Sequence, residues 1–328
     1  MTPAFRPRFP WWGGDLQTLR NKLAYRHRPL PGGASDFRVA LPDGDTLTGT
    51  LHRSPDPEPV PLIVLLHGLT GSEYRMYMME STRYHLSRGH GVLRMNLRAA
   101  GSSAALCATP YSGKSWPDVL AILDAIDSAL TENGVFLIGY SMGGNILLNA
   151  LPHVPSSVPC VGAATVSAPI DPAGASKRLM ERRNRIYEKS LLGDMKDSHL
   201  ALPFAKYEAM RDAIQNVRSI WEFDDNVTAP RLGLGGAQAY YDATAGKDHV
   251  GAVRVPLLMI HSEDDPWIPI APYRALSPPA NVAVEITKSG GHVGYHGKHG
   301  AQPWHDLRIA AFIDGITGRT AASELPSS

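Results

Sequence analysis

The stretch Val135-Phe-Leu-Ile-Gly139-Tyr140-Ser141-Met142-Gly143-Gly144-Asn145-Ile-Leu-Leu constrains this 328-residue chain more than any other. Apolar residues lead into a G-x-S-x-G turn, and a second apolar run follows until Pro152. A run that is apolar on both faces suits a strand buried inside a parallel sheet, and the run after the turn suits a helix that proline stops. A serine at such a strand-to-helix turn stands clear of the backbone, in the posture of a nucleophile. Residues two before and two after it pass close to one another, so Gly139 and Gly143 leave room that side chains would fill. Chance alone yields G-x-S-x-G about 0.2 times in a chain of this length and composition. The strand and helix around the motif therefore carry the argument.

The rest of the chain has the rhythm that such a strand requires. Phe37-Arg-Val-Ala-Leu and Thr46-Leu-Thr-Gly-Thr-Leu-His flank the turn signal Pro42-Asp43-Gly44-Asp45 and predict an antiparallel edge hairpin. Leu62-Ile-Val-Leu-Leu-His67 reads as a central strand, and helix-like Glu73 to Arg88 ends at Gly89. Then come strand-like Val92 to Asn96, a helix over Pro117 to Leu130, the elbow strand, and the strand Cys160 to Ser167. The alternation breaks until Val255 to His261, after which a last strand, Val282 to Ile286, precedes a helix starting near Trp304. Strand–helix alternation with right-handed crossovers gives an α/β fold with a mostly parallel central sheet and helices on both faces. Functional loops gather at the C-terminal edge of such a sheet.

We expect residues 1–170 and 255–328 to form this core and residues 171–254 to be a helical lid inserted late in the sheet. That insertion is rich in charges (Lys177, Arg178, Arg182, Arg183, Arg185, Lys189) and in aromatic side chains (Tyr187, Phe204, Tyr207, Trp221, Phe223, Tyr240, Tyr241). Its basic run is read first as a solvated helix face, with a grip on an anionic head group as the sharper alternative.

A net charge of +1 and the absence of a dense basic patch with interleaved aromatics argue against a nucleic-acid partner. No apolar run is long enough to span a bilayer, and the first residues lack the apolar segment of a secretory signal, so stable membrane insertion is not expected and a cytoplasmic location is. Cys107 and Cys160 form no C-x-x-C and read as small hydrophobes.

A serine nucleophile needs a histidine base and a carboxylate that fixes the base's tautomer. Leu257-Leu-Met-Ile-His-Ser-Glu-Asp264-Asp265-Pro-Trp-Ile-Pro puts two carboxylates just past a buried strand. Asp265 is favoured, since turns of this kind run G-x-x-D followed by proline and apolar residues, with Ser262 in the glycine position; Asp264 stays open. His292, between Gly290-Gly291 and Gly294 after the last strand, is the candidate base. His296 and His299 complete an H-x3-H-x2-H pattern with His292, and His305 lies close by, but the intervening glycines oppose a rigid metal site. They read as surface or gate residues, and neither metal nor cofactor is expected. Two backbone N–H groups should hold the oxyanion of the tetrahedral intermediate. The candidates are Met142, directly after the serine, and Leu69 in His67-Gly68-Leu69-Thr70-Gly71-Ser72, with His67, Gly68 and Tyr140 expected at the substrate.

With these parts in order, the chain resembles the α/β-hydrolase superfamily, and within it the YheT/EMB8-like branch that includes ABHD1–ABHD3-type lipases. The resemblance rests on Asp15-Leu-Gln-Thr-Leu, His67-Gly-Leu-Thr-Gly-Ser, Asn96-Leu-Arg-Ala-Ala-Gly-Ser, the elbow, Phe223-Asp-Asp-Asn-Val-Thr-Ala-Pro and Gly290-Gly-His-Val-Gly. It implies a carboxylic ester hydrolase acting on acyl esters or lipid-like small molecules, as a monomer or homodimer, with Ser141, Asp265 or Asp264, and His292 as its triad. Acyl transfer to alcohols or a thioesterase reaction would use the same triad, and a catalytically silent ligand-binding fold is the non-enzymatic rival. The H-x4-D pattern of some acyltransferase relatives is missing, since Gly297 stands five after His292. Two departures fall near the expected pocket: the family's R-G-x-G-x-S is Arg98-Ala-Ala-Gly101-Ser-Ser here, and the histidine before Leu-Gln-Thr is Asp15.

Overall fold

The computed structural model describes residues 3–23, 28–203, 207–298 and 300–319. Phe204 and His299 lie outside the described residues. The strands are β1 (Ala34–Ala40), β2 (Thr46–His52), β3 (Leu62–Leu66), β4 (Val92–Met95), β5 (Val135–Tyr140), β6 (Cys160–Val166), β7 (Leu257–Ser262) and β8 (Val282–Thr287). They form one sheet in the order β1-β2-β4-β3-β5-β6-β7-β8. The hairpin β1–β2 and the pair β2–β4 are antiparallel, and every other pair is parallel.

Period two sorts the sheet's side chains onto its two faces. Leu62, Val64 and Leu66 of β3, with Val135 and Leu137 of β5, face one core. There they meet Val119, Ile122 and Leu123 of α3 (Trp116–Asp124) and Ile146, Leu147 and Leu148 of α4 (Met142–Ala150). Ile63, Leu65, Phe136, Ile138 and Tyr140 point to the opposite core, against Met78 and Leu86 of α2 (Met76–Leu86) and Ile309 and Ile313 of the C-terminal helix Trp304–Thr317. Complete burial of such side chains contributes roughly 1.5–3 kcal/mol each, which is why β3 and β5 show no polar alternation.

Two expected helices are shorter than their patterns. α2 begins at Met76 rather than Glu73, because the Glu73 side chain joins a buried network with Asn96. The helix expected to reach Leu130 ends at Asp124, and a separate 3-10 turn, Ser128–Leu130, is capped by Asp127.

A helix not anticipated from the sequence, α1 (Gly14–Leu23), carries the Asp15-Leu-Gln-Thr-Leu segment. Between β6 and β7 the chain forms α5 (Pro172–Leu179), α6 (Arg185–Leu200), α7 (Glu208–Asn216) and shorter helical turns, among them a π-helical turn at Asp224–Thr228. These helices bury a cluster of their own, built from residues such as Leu191, Leu192, Ile214 and Phe223. Leu69 and Trp267, from loops at the C-terminal edge of the sheet, pack against that cluster.

Candidate active site

β5 delivers Ser141 to the sheet edge in a conformation that few residues adopt, with φ 50° and ψ −122°. Strain of this kind costs on the order of 1–3 kcal/mol and persists only where surrounding bonds impose it. Here Ser141 N–H donates to Val166 O (2.8 Å), while the Ser141 carbonyl accepts from Gly144 N (2.9 Å) and Asn145 N (3.1 Å). Ser141 occupies the N-cap position of α4, yet its side chain makes no capping bond. Its Oγ lies instead 2.9 Å from His292 Nε2. The elbow glycines are needed for close approach, and the neighbours are specific. A Cβ on Gly139 would stand 2.6 Å from Gly144 Cα, and one on Gly143 would run into the His67 carbonyl at the end of β3.

The structure brings Asp265, not Asp264, to the histidine. Asp265 Oδ2 is 2.9 Å from His292 Nδ1, and its Oδ1 accepts from the N–H groups of Trp267 (2.8 Å) and Ile268 (3.0 Å). Burial alone would raise this carboxyl's pKa, but His292 and these donors hold it below the ordinary carboxylate range. Asp264 turns away and accepts from Gly291 N–H at 2.9 Å, fastening the histidine loop. Burial pushes its pKa up. The His292 ring packs on Trp267 at 4.3 Å between centroids, and Trp267 in turn meets the edge of Tyr187 from α6 at 5.4 Å.

The loop after β3 lies directly across from the serine. A Cβ on Gly68 would stand 2.9 Å from Ser141 Cβ and 3.4 Å from its Oγ, so only glycine fits. Tyr77 Oη accepts from Gly68 N–H (3.0 Å) and Tyr111 Oη from Thr70 N–H (2.7 Å). Thr70 itself sits at φ 53°. The amide between these two, Leu69 N–H, has no acceptor among the described residues, and neither does Met142 N–H. Two unpaired backbone donors flanking a serine hydroxyl are what a developing oxyanion requires. Sequence reasoning missed Tyr77 and Tyr111, because no local pattern ties a helix residue or a distant loop residue to this turn.

Three expectations are corrected. His67 was expected at the substrate, but it is fully buried, with Nδ1 2.8 Å from Gly68 O and Nε2 accepting from Leu97 N–H at 3.1 Å. Burial lowers its pKa to about 4, so it is a neutral brace for the loop. Tyr140 was also expected there, but it faces the core with Phe136 and Ile138 and donates its hydroxyl to Asp306 at 3.3 Å. The period of β5 already signals that orientation. His296 and His305, read as surface or gate residues, are both buried. His296 is pinned by Asn21 and by Gln17, whose side-chain Oε1 accepts from its backbone N–H, while His305 lies 3.2 Å from Asp306.

The polar face of α1 braces the histidine loop. Thr18 Oγ1 accepts from His292 N–H (2.8 Å), and Asn21 donates to Val293 O (2.8 Å). Asp15 takes bonds at 3.1 Å from both Arg183 and Tyr187 Oη at the start of the inserted helices. Arg178 pairs with Glu181, so two cations of the basic run are spoken for locally. Ala99, in the family's glycine position, holds φ 57°, and its neighbour Arg98 binds Asp43, Asp45 and Asp118. No group of three or more His, Cys, Asp or Glu suited to a metal occurs among the described residues.

Sheet order, elbow and facing histidine define a hydrolase of the α/β class, and comparison with known proteins agrees. Residues 63–307 match the alpha/beta hydrolase family, and the chain belongs to it. The chain is 28% identical to YheT of Escherichia coli (strain K12) over 285 residues, covering 84% of this chain and 83% of that one. It is 26% identical to phospholipase ABHD3 of Homo sapiens, covering 90% and 74%. These are relatives in the branch to which the sequence motifs pointed. Among solved structures, the Pyrococcus furiosus esterase Pf2001 superposes with a TM-score of 0.59 at 15% identity, covering 96% and 98% of the two chains, a likeness of fold.

Proposed function

We propose that this protein is a serine esterase that cleaves carboxylic acyl esters through an acyl-enzyme. Ser141 Oγ attacks the ester carbonyl carbon while its proton passes to His292 Nε2. Asp265 keeps the other ring proton on Nδ1 and stabilises the imidazolium that forms. The carbonyl oxygen becomes an oxyanion that accepts from Leu69 and Met142 N–H. Collapse breaks the bond to the leaving alkoxide, which takes the Nε2 proton and departs as the alcohol. A water then repeats the sequence on the acyl-enzyme, giving its proton to His292 and releasing the acid with Ser141 restored. The helices of residues 171–254 act as the lid over this site, with Leu69 and Trp267 as their points of contact.

The observation that carries this reading is the chain of 2.9 Å contacts from Ser141 through His292 to Asp265, beside two unpaired amides. The names of relatives such as phospholipase ABHD3 and a yeast monoacylglycerol lipase support an acyl ester as the substrate class. A fluorophosphonate probe is expected to label the wild type and not Ser141→Ala. Labelling that survives the substitution refutes the nucleophile.

A further inference from the structure

The outermost helix near the site is turned inside out. In a soluble helix the apolar stripe faces the protein and the polar side faces water. In α1, Gln17, Thr18 and Asn21 face inward and bond the loop that carries His292 and His296. Leu16, Leu19 and Leu23 fall within about 60° of arc on the other side at 3.6 residues per turn. Leu16 is 42% exposed and Leu23 69%. The segment just before the helix adds Phe9 and Trp12, 69% and 59% exposed and in edge contact at 5.3 Å. Hydrogen bonding has claimed the face that would normally be wet, so among the described residues Leu16 and Leu23 stay exposed and Leu19 is only half-buried. Apolar area of this kind, left in water, marks an interaction surface.

The surrounding charge selects the partner. Among the described residues of this segment Arg6, Arg8 and Lys22 are cationic beside Arg20, which reaches His296, and Asp15 is acidic, in a chain whose net charge is +1. Leucine, tryptophan and phenylalanine interleaved with cations are the composition of an interfacial helix, whose apolar side enters the head-group region while its cations meet anionic lipid. A second copy fits poorly, because pairing this patch with itself would bring like charges such as Lys22 of α1 into one interface.

We propose that α1 and the Phe9–Trp12 turn dock the protein on an anionic lipid surface. Docking there sets the histidine loop, one helix thickness away, beside the bilayer. No helix among the described residues is long and apolar enough to cross a membrane, and the contact proposed is a peripheral one.

Co-sedimentation of the full chain with vesicles of phosphatidylcholine, alone or with about one third phosphatidylglycerol, tests this. The wild type is expected to sediment with the mixed vesicles. Its partitioning should fall about tenfold or more in Trp12→Ser/Leu23→Ser and several-fold in Lys22→Glu, while turnover of a short soluble ester stays at the wild-type level in both. Unchanged thermal melts of both variants confirm folding without invoking the esterase reading, and vesicle binding does not depend on Ser141. The proposal is overturned if the wild type stays in the supernatant with both vesicles, or if the variants bind as well as the wild type. A dimer that the double variant converts to monomer would also overturn it, assigning the patch to a second copy.

Discussion

Asp264 and Asp265 are adjacent carboxylates at one strand end, and the geometry gives them different work. In Asp265→Asn, the Oδ1 of asparagine still accepts from Trp267 and Ile268 N–H. The other position becomes an amide donor aimed at His292 Nδ1, where the carboxylate oxygen was 2.9 Å away. Charge centres in such a pair sit about 4 Å apart, worth about 4 kcal/mol at an effective dielectric constant of about 20. At about 1.4 kcal/mol per decade, that is about 10³ in rate. The amide donor also favours the tautomer with its proton on Nε2, which cannot accept from Ser141, so the full loss should reach about 10³–10⁴ in kcat/KM. Asp264→Asn keeps an acceptor for Gly291 N–H and loses only part of one hydrogen bond, about 1 kcal/mol and so about fivefold. Steady-state hydrolysis of p-nitrophenyl butyrate by the two variants, with thermal melts as a check on folding, separates them. Comparable losses, or an Asp265→Asn enzyme retaining a tenth of wild-type activity, would refute the assignment of roles.

Two further outcomes are expected. Tyr111→Phe and Tyr77→Phe each free an amide beside Leu69 and loosen the loop, so kcat should fall about 10- to 100-fold with KM changed less than about threefold; unchanged kcat in both would show that the tyrosines do not position the donor. Acid should unfold the protein early: burial lowers the pKa of His67 and His261 to about 4, His85 to about 3 and His296 to about 2. A folded-state pKa below the unfolded value of about 6.5 gives stability that is complete above pH 6.5 and is withdrawn as pH falls toward the folded pKa. At about 1.4 kcal/mol per histidine per pH unit, the four together remove about 8 kcal/mol by pH 5, most of a typical domain's stability. Denaturant melts at pH 7 and pH 5 measure this, and equal midpoints would contradict it.

What was legible in the sequence was what local pattern controls. The elbow, the hairpin turn at Asp43-Gly44 and the apolar strands β3 and β5 follow from short-range sterics and burial, and each strand forms close to its pattern. The acid, base and loop candidates also fell at strand ends, where the sheet order gathers them. The face of a motif residue is set by what lies beneath it, so His67 and Tyr140 were drawn to the substrate only by their place beside the right glycines. Buried histidines resemble surface ones until their partners, such as Asp306 for His305, come in from elsewhere. α1 escaped notice because its inward face is polar, which makes its hydrophobic period point the wrong way.

That helix also has a consequence for how the protein comes into being. The bond from His292 N–H to Thr18 closes a separation of 274 residues, and the one from Asn21 to Val293 closes 272. A nascent chain released up to the elbow already holds Ser141 on its strand, but neither base nor acid. Helix α1 must wait, Leu16 and Leu23 bare, for a loop 274 residues later to arrive. Contacts this distant in sequence are closed late, after the loop entropy between them has been overcome. On the proposed mechanism, reactivity toward a fluorophosphonate therefore reports arrival of the histidine loop, and refolding followed by that reaction should lag behind recovery of the sheet.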